Sequence, residues 1–277
     1  MLRKLRLKEL IKKADNIRAQ VVEVAVKNGA GHIAPSLSSV DILTTLYYAI
    51  MNISADPKWN ARDRLVFSKA HGCYALYAIL ADLGYLDERD WHDFYKGSFL
   101  SGCVERRVEN GMEAGCGSLG HGLPQAVGIA FGAKLQKMRS RVYCIVGDGE
   151  LQEGANWEAI QFAVKHKLSQ LTVIIDKNGL QAMDYLENIL TPAGRKDDIK
   201  IKMKAFGCEV KECNGHNLPA MIKSLKGWEK RRGKINRPQI LIANTTKGYG
   251  LICMEDVPKF HFRLPTSEEM AKGKRYD

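Results

Sequence analysis

Residues 145–154 read IVGDGELQEG: an apolar run ends, the chain turns on two glycines around Asp148, and a helix with an internal glutamate begins. An aspartate at the carboxyl end of a strand stands where open parallel sheets bind their ligands. Gly147 and Gly149 let the backbone approach a phosphate closely, and the following helix presents its N-terminus to an anion. A tight turn capped by an aspartate explains GDG alone equally well. The stretch therefore poses a question, which ligand, that the rest of the chain must answer.

Outward from this turn, short apolar runs alternate with helical periodicity. The runs predict strands at Leu65–Ser68, Val142–Val146, Leu171–Asp176, Gly207–Glu212 and Gln239–Thr245. Helical spacing predicts helices at Leu37–Met51, Tyr74–Leu83, His121–Lys137, Gln152–His166 and Leu218–Arg232, and an amphipathic helix on Leu7, Leu10, Ile11, Ala14 and Ile17. Short apolar strands followed by turn signals indicate an α/β fold, a mainly parallel sheet with helices on both faces. No repeat, low-complexity tract or linker divides the 277 residues, so one domain spanning 1–277 is expected, with a charged, loosely packed basic tail after about 265. The polar segment Thr191 to Lys204 reads as a surface excursion.

The composition excludes several classes. An apolar content of 45% is that of a globular protein. No apolar run approaches the roughly 18–20 residues that cross a bilayer, and the basic N-terminus has no signal-peptide core, while Glu9 and Asp15 spoil it as a transit peptide. A cytoplasmic protein without a membrane partner is expected. Seven scattered cysteines include no C-x-x-C pair, which argues for reduced thiols rather than zinc or disulfides. The net charge of +11 is spread along the chain, with short clusters at Arg3–Lys4, Lys230–Arg232 and Lys272–Arg275, and no nucleic-acid motif accompanies it. The charge suits anionic small molecules better than a nucleic-acid partner.

The next polar turn after a strand is IIDKNGLQ, residues 174–181. Asp148 and Asn178 thus stand at the carboxyl ends of two candidate neighbouring strands. A carboxylate, an amide oxygen and a nearby backbone carbonyl are hard oxygen ligands that suit Mg²⁺, with Ca²⁺ as the alternative, and not zinc. Phosphate oxygens and water usually complete such a Mg²⁺ octahedron, which makes a metal–diphosphate cradle.

GDG, then 28 residues, then Asn is the pattern of thiamine-diphosphate enzymes, and GDGELQEGANWEA with IIDKNGLQ resembles the transketolase branch. Other segments agree in order: GAGHIAPSLSSVDIL (29–43), RDRLVFSKAHGCYALYAIL (62–80), GCGSLGHGLPQAVGIA (115–130), CNGHNLPAMIKSL (213–225) and IANTTKGYGLICMED (242–256). The resemblance runs from about residue 10 to 265. Transketolases are more than twice this length, because a second domain binds the aminopyrimidine ring and a third follows. The chain resembles the N-terminal, diphosphate-binding subunit of a split transketolase, which implies a separate pyrimidine-binding partner subunit in an α2β2 assembly and sugar or sugar-phosphate substrates.

Carried over residue by residue, the resemblance implies that Asp148, Asn178 and the Leu180 carbonyl ligate the metal. Gly149 touches the diphosphate through its backbone and His71 donates to it. Gly117 and Leu119 line the cofactor rings, and Glu153 sits at the subunit contact, communicating with an activating glutamate of the partner. His32 and His261 face the substrate for proton transfer. His216 is expected to be structural, capping a helix with Asn217; His121 reaches the cofactor or simply packs; His92 and His166 are surface residues. The sequence departs from the family at SGCVE (101–105), where Cys103 replaces an expected donor-binding histidine, and at Cys116, where a small polar residue is common. A thiol is a weak hydrogen-bond donor. The leading expectation is transfer of a two-carbon ketol unit from a ketose to an aldehyde. The alternatives are a thiamine-diphosphate subunit using another donor, such as a 2-oxo acid, in acyl transfer or chemistry like that of 1-deoxyxylulose-phosphate synthase, and a non-catalytic regulatory subunit.

Overall fold

A computed structural model describes residues 1–189, 198–231 and 233–276. Five strands, β1 (Arg64–Phe67), β2 (Val142–Gly147), β3 (Leu171–Lys177), β4 (Glu209–Asn214) and β5 (Gln239–Asn244), form one sheet in the order β1-β2-β3-β5-β4. Every neighbouring pair is parallel. The expected strands are found with ends shifted by one or two residues. The largest shift is at β4, because Gly207 takes a left-handed φ of +94° and completes the preceding turn.

Helices α1 (Leu7–Asn28), α2 (Ile33–Leu37) and α3 (Val40–Thr45) precede the sheet, and α4 (Cys73–Asp82) and α5 (Glu88–His92) follow β1. The longer crossovers are α6 (Gly122–Leu135) before β2 and α7 (Gly154–Lys165) after it. Beyond β3 come α8 (Leu186–Ile189), α9 (Ile199–Ala205), α10 (Leu218–Glu229) and, after β5, α11 (Ser267–Met270). In α10, Asn217 caps the N-terminus through the Ala220 N–H, Pro219 sits in the first turn, and Leu218, Met221, Leu225 and Trp228 bury one face. The expected helix over Leu37–Met51 breaks into α3 and a π-helical turn at Leu46–Ile50.

Three expectations change. The excursion from Thr191 falls at 191–197 outside the described residues, whereas Ile199–Ala205 is helical. The tail is not loose: Thr266 caps α11, Lys274 bridges to Leu251, Arg275 pairs with Glu255 at 2.8 Å, and Tyr276 is buried. His166 is half-buried between Phe131 and Phe162 rather than on the surface.

The register positions the site. Gly147 of β2 lies beside Asp176 of β3, so the turns after both strands open at the same height. The loop after β5 returns over this edge and packs Phe262 against the α1–α2 connection. A Cβ on Gly31 would lie 1.9 Å from the Phe262 carbonyl oxygen, so only glycine permits that approach. Gly31→Ala should therefore push the 258–262 segment away and destabilise the fold by about 1–3 kcal/mol. Urea denaturation with an unchanged midpoint would refute the contact.

Candidate functional site

Asp148 is buried at the end of β2. Its Oδ1 accepts the Gly149 N–H at 2.9 Å and its Oδ2 accepts the Gly179 N–H at 2.6 Å, which locks the turn after β3 onto the turn after β2. Gly179 has φ +75°, and the Asn178 Oδ1 accepts the Leu180 N–H at 3.1 Å, so the 178–180 turn is fixed with its oxygens beside Asp148. Burial raises the Asp148 acid to about 6, against the pull of those two N–H groups and Lys69. A divalent cation would supply the missing counter-charge. Among the described residues no three His, Cys, Asp or Glu side chains are grouped to hold a metal. The available set is one carboxylate, one amide oxygen and one carbonyl, which suits a hard cation.

These residues line a cavity of about 180 Å³ with Lys69, His71, Leu119, Lys247 and His261. Lys69, just beyond β1, has a carboxylate partner in Asp176 at 2.6 Å. Lys247, three residues beyond β5, touches none among the described residues: it is 2% exposed and donates to the Gln181 carbonyl at 3.0 Å and to His261 Nδ1 at 2.8 Å. Burial, with Lys69 nearby, lowers it to about 8 against the more distant pull of Asp148 and Asp176. A buried ammonium that faces a cavity with no carboxylate in contact is a place for an anion.

Three imidazoles gather at the rim. The His32 ring lies 4.9 Å from His71 and 5.5 Å from His261. Burial, followed by the neighbouring His71 and Lys247, lowers His32 to about 4. Burial and Lys247 lower His261 to about 3, and burial alone lowers His71. All three are neutral near pH 7. Because Lys247 donates to His261 Nδ1, the ring proton of His261 resides on Nε2. His32 Nδ1 and Gln181 Nε2 are buried with no protein partner, an unfilled polar capacity that a polar ligand would satisfy.

Of the sequence candidates, His71, Leu119, Asp148, Gly149, Asn178, Leu180 and His261 share the cavity wall, and His32 stands against two of them. Glu153 and Gly117 lie outside it. Glu153 is exposed at the start of α7, with its Cβ where any side chain on Gly120 would fall. Gly117 is exposed beside the Cys103 side chain, whose carbonyl is held by Tyr77 and Ser101. Among the other histidines, His121 is exposed with Nδ1 against the Leu119 carbonyl. His216 does not cap α10, which Asn217 does alone; it binds Asp41 at 2.7 Å and accepts the Thr246 N–H at 2.8 Å.

Sequence reasoning missed three charged residues. Lys247 was legible only as part of TTKGYG. Asp176 is fully buried and collects Lys69, Ser38, Ser39 and Thr245. Glu150, the fourth residue of GDGE, is buried and accepts from the Ser68 hydroxyl, the Gly120 N–H at 3.0 Å and the Gly147 N–H at 3.1 Å. It joins the loop after β1, the glycine-rich loop and the GDG turn.

Residues 10–275 match the family model described as transketolase, thiamine diphosphate binding domain. The chain is 39% identical to an apulose-4-phosphate transketolase subunit of Actinobacillus succinogenes, over 95% of this chain and 93% of that one. It is 35% identical to a 6-deoxy-6-sulfo-D-fructose transketolase subunit of Clostridium sp., over 96% and 94%. Human transketolase is 33% identical, and there the match spans 96% of this chain and 41% of the relative. In three dimensions the transketolase of Campylobacter jejuni superposes with a TM-score of 0.84 at 29% identity, covering 96% of this chain and 42% of that one.

The neutral imidazoles have a direct check. In an NMR pH titration the His32 and His261 ring protons should hold neutral shifts from pH 8 to 5, with midpoints near 4 and 3. Because the unfolded chain binds those protons near 6.5, their contribution to stability falls as pH drops from 6.5 towards 4. A His32 midpoint at 6.5 would show that the ring is not buried as described.

Proposed function

The chain belongs to the transketolase thiamine diphosphate-binding family, and we propose that it is the cofactor-gripping subunit of a two-chain transketolase, active only with a separate pyrimidine-binding subunit. The observation that carries this reading is the pairing of opposite charges in one cavity. The hard oxygen set of Asp148, Asn178 and Leu180 stands on one wall and the Lys247 ammonium, which has no carboxylate in contact among the described residues, on another. A diphosphate bridged to Mg²⁺ satisfies both. Two relatives matched nearly end to end are named as transketolase subunits, which supports a partner chain; the assembly we propose is α2β2. Free cysteines among the described residues suit a reducing cytoplasm.

When bound, thiamine diphosphate supplies the nucleophilic carbon and the electron sink for breaking the carbon–carbon bond beside a ketose carbonyl. The chain supplies the rest. Asp148, Asn178 and the Leu180 carbonyl would hold Mg²⁺, while Gly149, His71 and Lys247 would hold the diphosphate. Gly117 and Leu119 line the rings, and exposed Glu153 faces the partner subunit. His261 donates its Nε2 proton to a substrate oxygen, and neutral His32 accepts or returns a proton beside it. The two-carbon ketol unit of the donor would pass to an acceptor aldehyde, leaving an aldose two carbons shorter and forming a new ketose. The two subunit relatives act on ketoses that end in phosphate or sulfonate, which supports an anionic ketose as donor. Cys103, in place of the expected histidine, supports a donor pocket different from that of the pentose-phosphate enzymes.

Calorimetric titration with thiamine diphosphate and Mg²⁺ in the assembled enzyme tests this reading. Lys247→Met should weaken binding about 10- to 100-fold, the ~1.5–3 kcal/mol of one charge-assisted hydrogen bond. Asp148→Ala should cost more, since it removes the charged metal ligand, and Asn178→Ala less. Unchanged affinity in Asp148→Ala, or ketol transfer by the purified chain alone, would overturn the proposal.

A further inference from the structure

Among the described residues the buried cations are Arg18, Arg62, Arg141 and Lys247, and they are ion-paired with two exceptions. Arg18, 2% exposed, pairs with Asp41 at 2.7 Å and Asp15 at 3.1 Å. Arg62, 4% exposed, pairs with Glu113, and Lys69 pairs with Asp176. Such pairing is what burial of a charge requires. The exceptions are Lys247, which faces the diphosphate cavity, and Arg141, which is 6% exposed at the opposite end of the sheet.

Arg141 immediately precedes β2. Its Nη2 donates to two neutral acceptors, Gln239 Oε1 at 2.6 Å and Thr172 Oγ1 at 3.2 Å, its side chain also bonds the buried Tyr143 hydroxyl, and its Nε is buried with no acceptor. Asp63 lies within electrostatic reach, but both its oxygens are taken by backbone N–H groups, those of Arg141 and Asn52. No ion pair joins it to the guanidinium. Arg141 instead lines a cavity of about 260 Å³ between the amino ends of β2, β3 and β5, with Met138, Ser169, Gln170, Ile235 and Gln239. That volume is several times the ~30 Å³ share of a water and admits a phosphate group.

We infer that this cavity at the amino edge of the sheet is a second anion site, in which the Arg141 guanidinium takes a small phosphate-bearing ligand. The two unpaired buried cations thus mark two ligand sites, one at each edge of the same sheet. The second needs neither the metal ligands nor the histidines of the first. Gln239 and Thr172 fix the guanidinium plane through Nη2, and the permanent charge of the group suits an oxyanion.

The Met138 methyl group is the reporter. In ¹³C-methyl NMR of the full chain at constant ionic strength, inorganic phosphate or ribose 5-phosphate should shift it saturably. The tighter of the two identifies the ligand as free phosphate or as a phosphate ester. Arg141→Gln should weaken the response at least about ten-fold, and Lys247→Met, which strips the cation from the first site, should leave it intact. Ser169→Asp places the missing carboxylate in the cavity, so it should raise Tm and abolish the response; it carries the test if Arg141→Gln does not fold. A Met138 signal unmoved at tens of millimolar phosphate overturns the site. So does a response that survives Arg141→Gln or Ser169→Asp, or one that is lost in Lys247→Met.

Discussion

The Asp176 carboxylate, fully buried at the carboxyl end of β3, is the interaction on which this edge of the sheet depends. Burial alone would raise it, but the Lys69 charge and the hydroxyls of Thr245 and Ser39 hold it below the usual carboxylate range. Those partners come from the segment between α2 and α3, the loop after β1 and the loop after β5. One ionised group thus gathers three separate stretches of chain around the turns that carry Asp148 and Asn178. Removing one member of such a buried network typically costs about 3–5 kcal/mol, because the remaining charge is left uncompensated.

Glu150 has the matching role beside β2, the neighbouring strand. Its two oxygens fix the Gly147 amide and the Gly120 amide, so the phosphate-approaching turn and the glycine-rich loop are set relative to each other. Asp176 and Glu150 are spent on the protein itself. Asp148, close to Glu150 in the GDG turn, retains oxygen capacity beyond its two N–H partners and opens to the cavity. The division of labour is electrostatic: two carboxylates build the frame and the third is left for a ligand.

The same reasoning explains the histidines. Burial disfavours positive charge on all three imidazoles, and the nearby lysines add to this at His32 and His261. Neutral rings donate and accept hydrogen bonds at once, which fits proton transfer better than charge stabilisation. The Lys247–His261 contact fixes one tautomer and gives that ring a direction.

The sequence by itself determined the parallel α/β architecture, through alternating apolar runs and helical periodicity. It also determined the candidate metal oxygens, because Asp148 and Asn178 lie in turns whose chemistry is local. The histidines of 29–43 and 62–80 were legible for the same reason: each sits in its own ordered motif. Only the tertiary structure decided the surroundings of Asp176, Glu150, Lys247 and Arg141. Ser39 and Asp176 are 137 positions apart, and Ser68 and Glu150 are 82 apart. No local pattern shows that a lysine in TTKGYG or an arginine before an apolar strand will be buried without a counter-ion. Burial and pairing are properties of which segments the sheet register brings together, so the uncompensated charges appear only once the chain is folded.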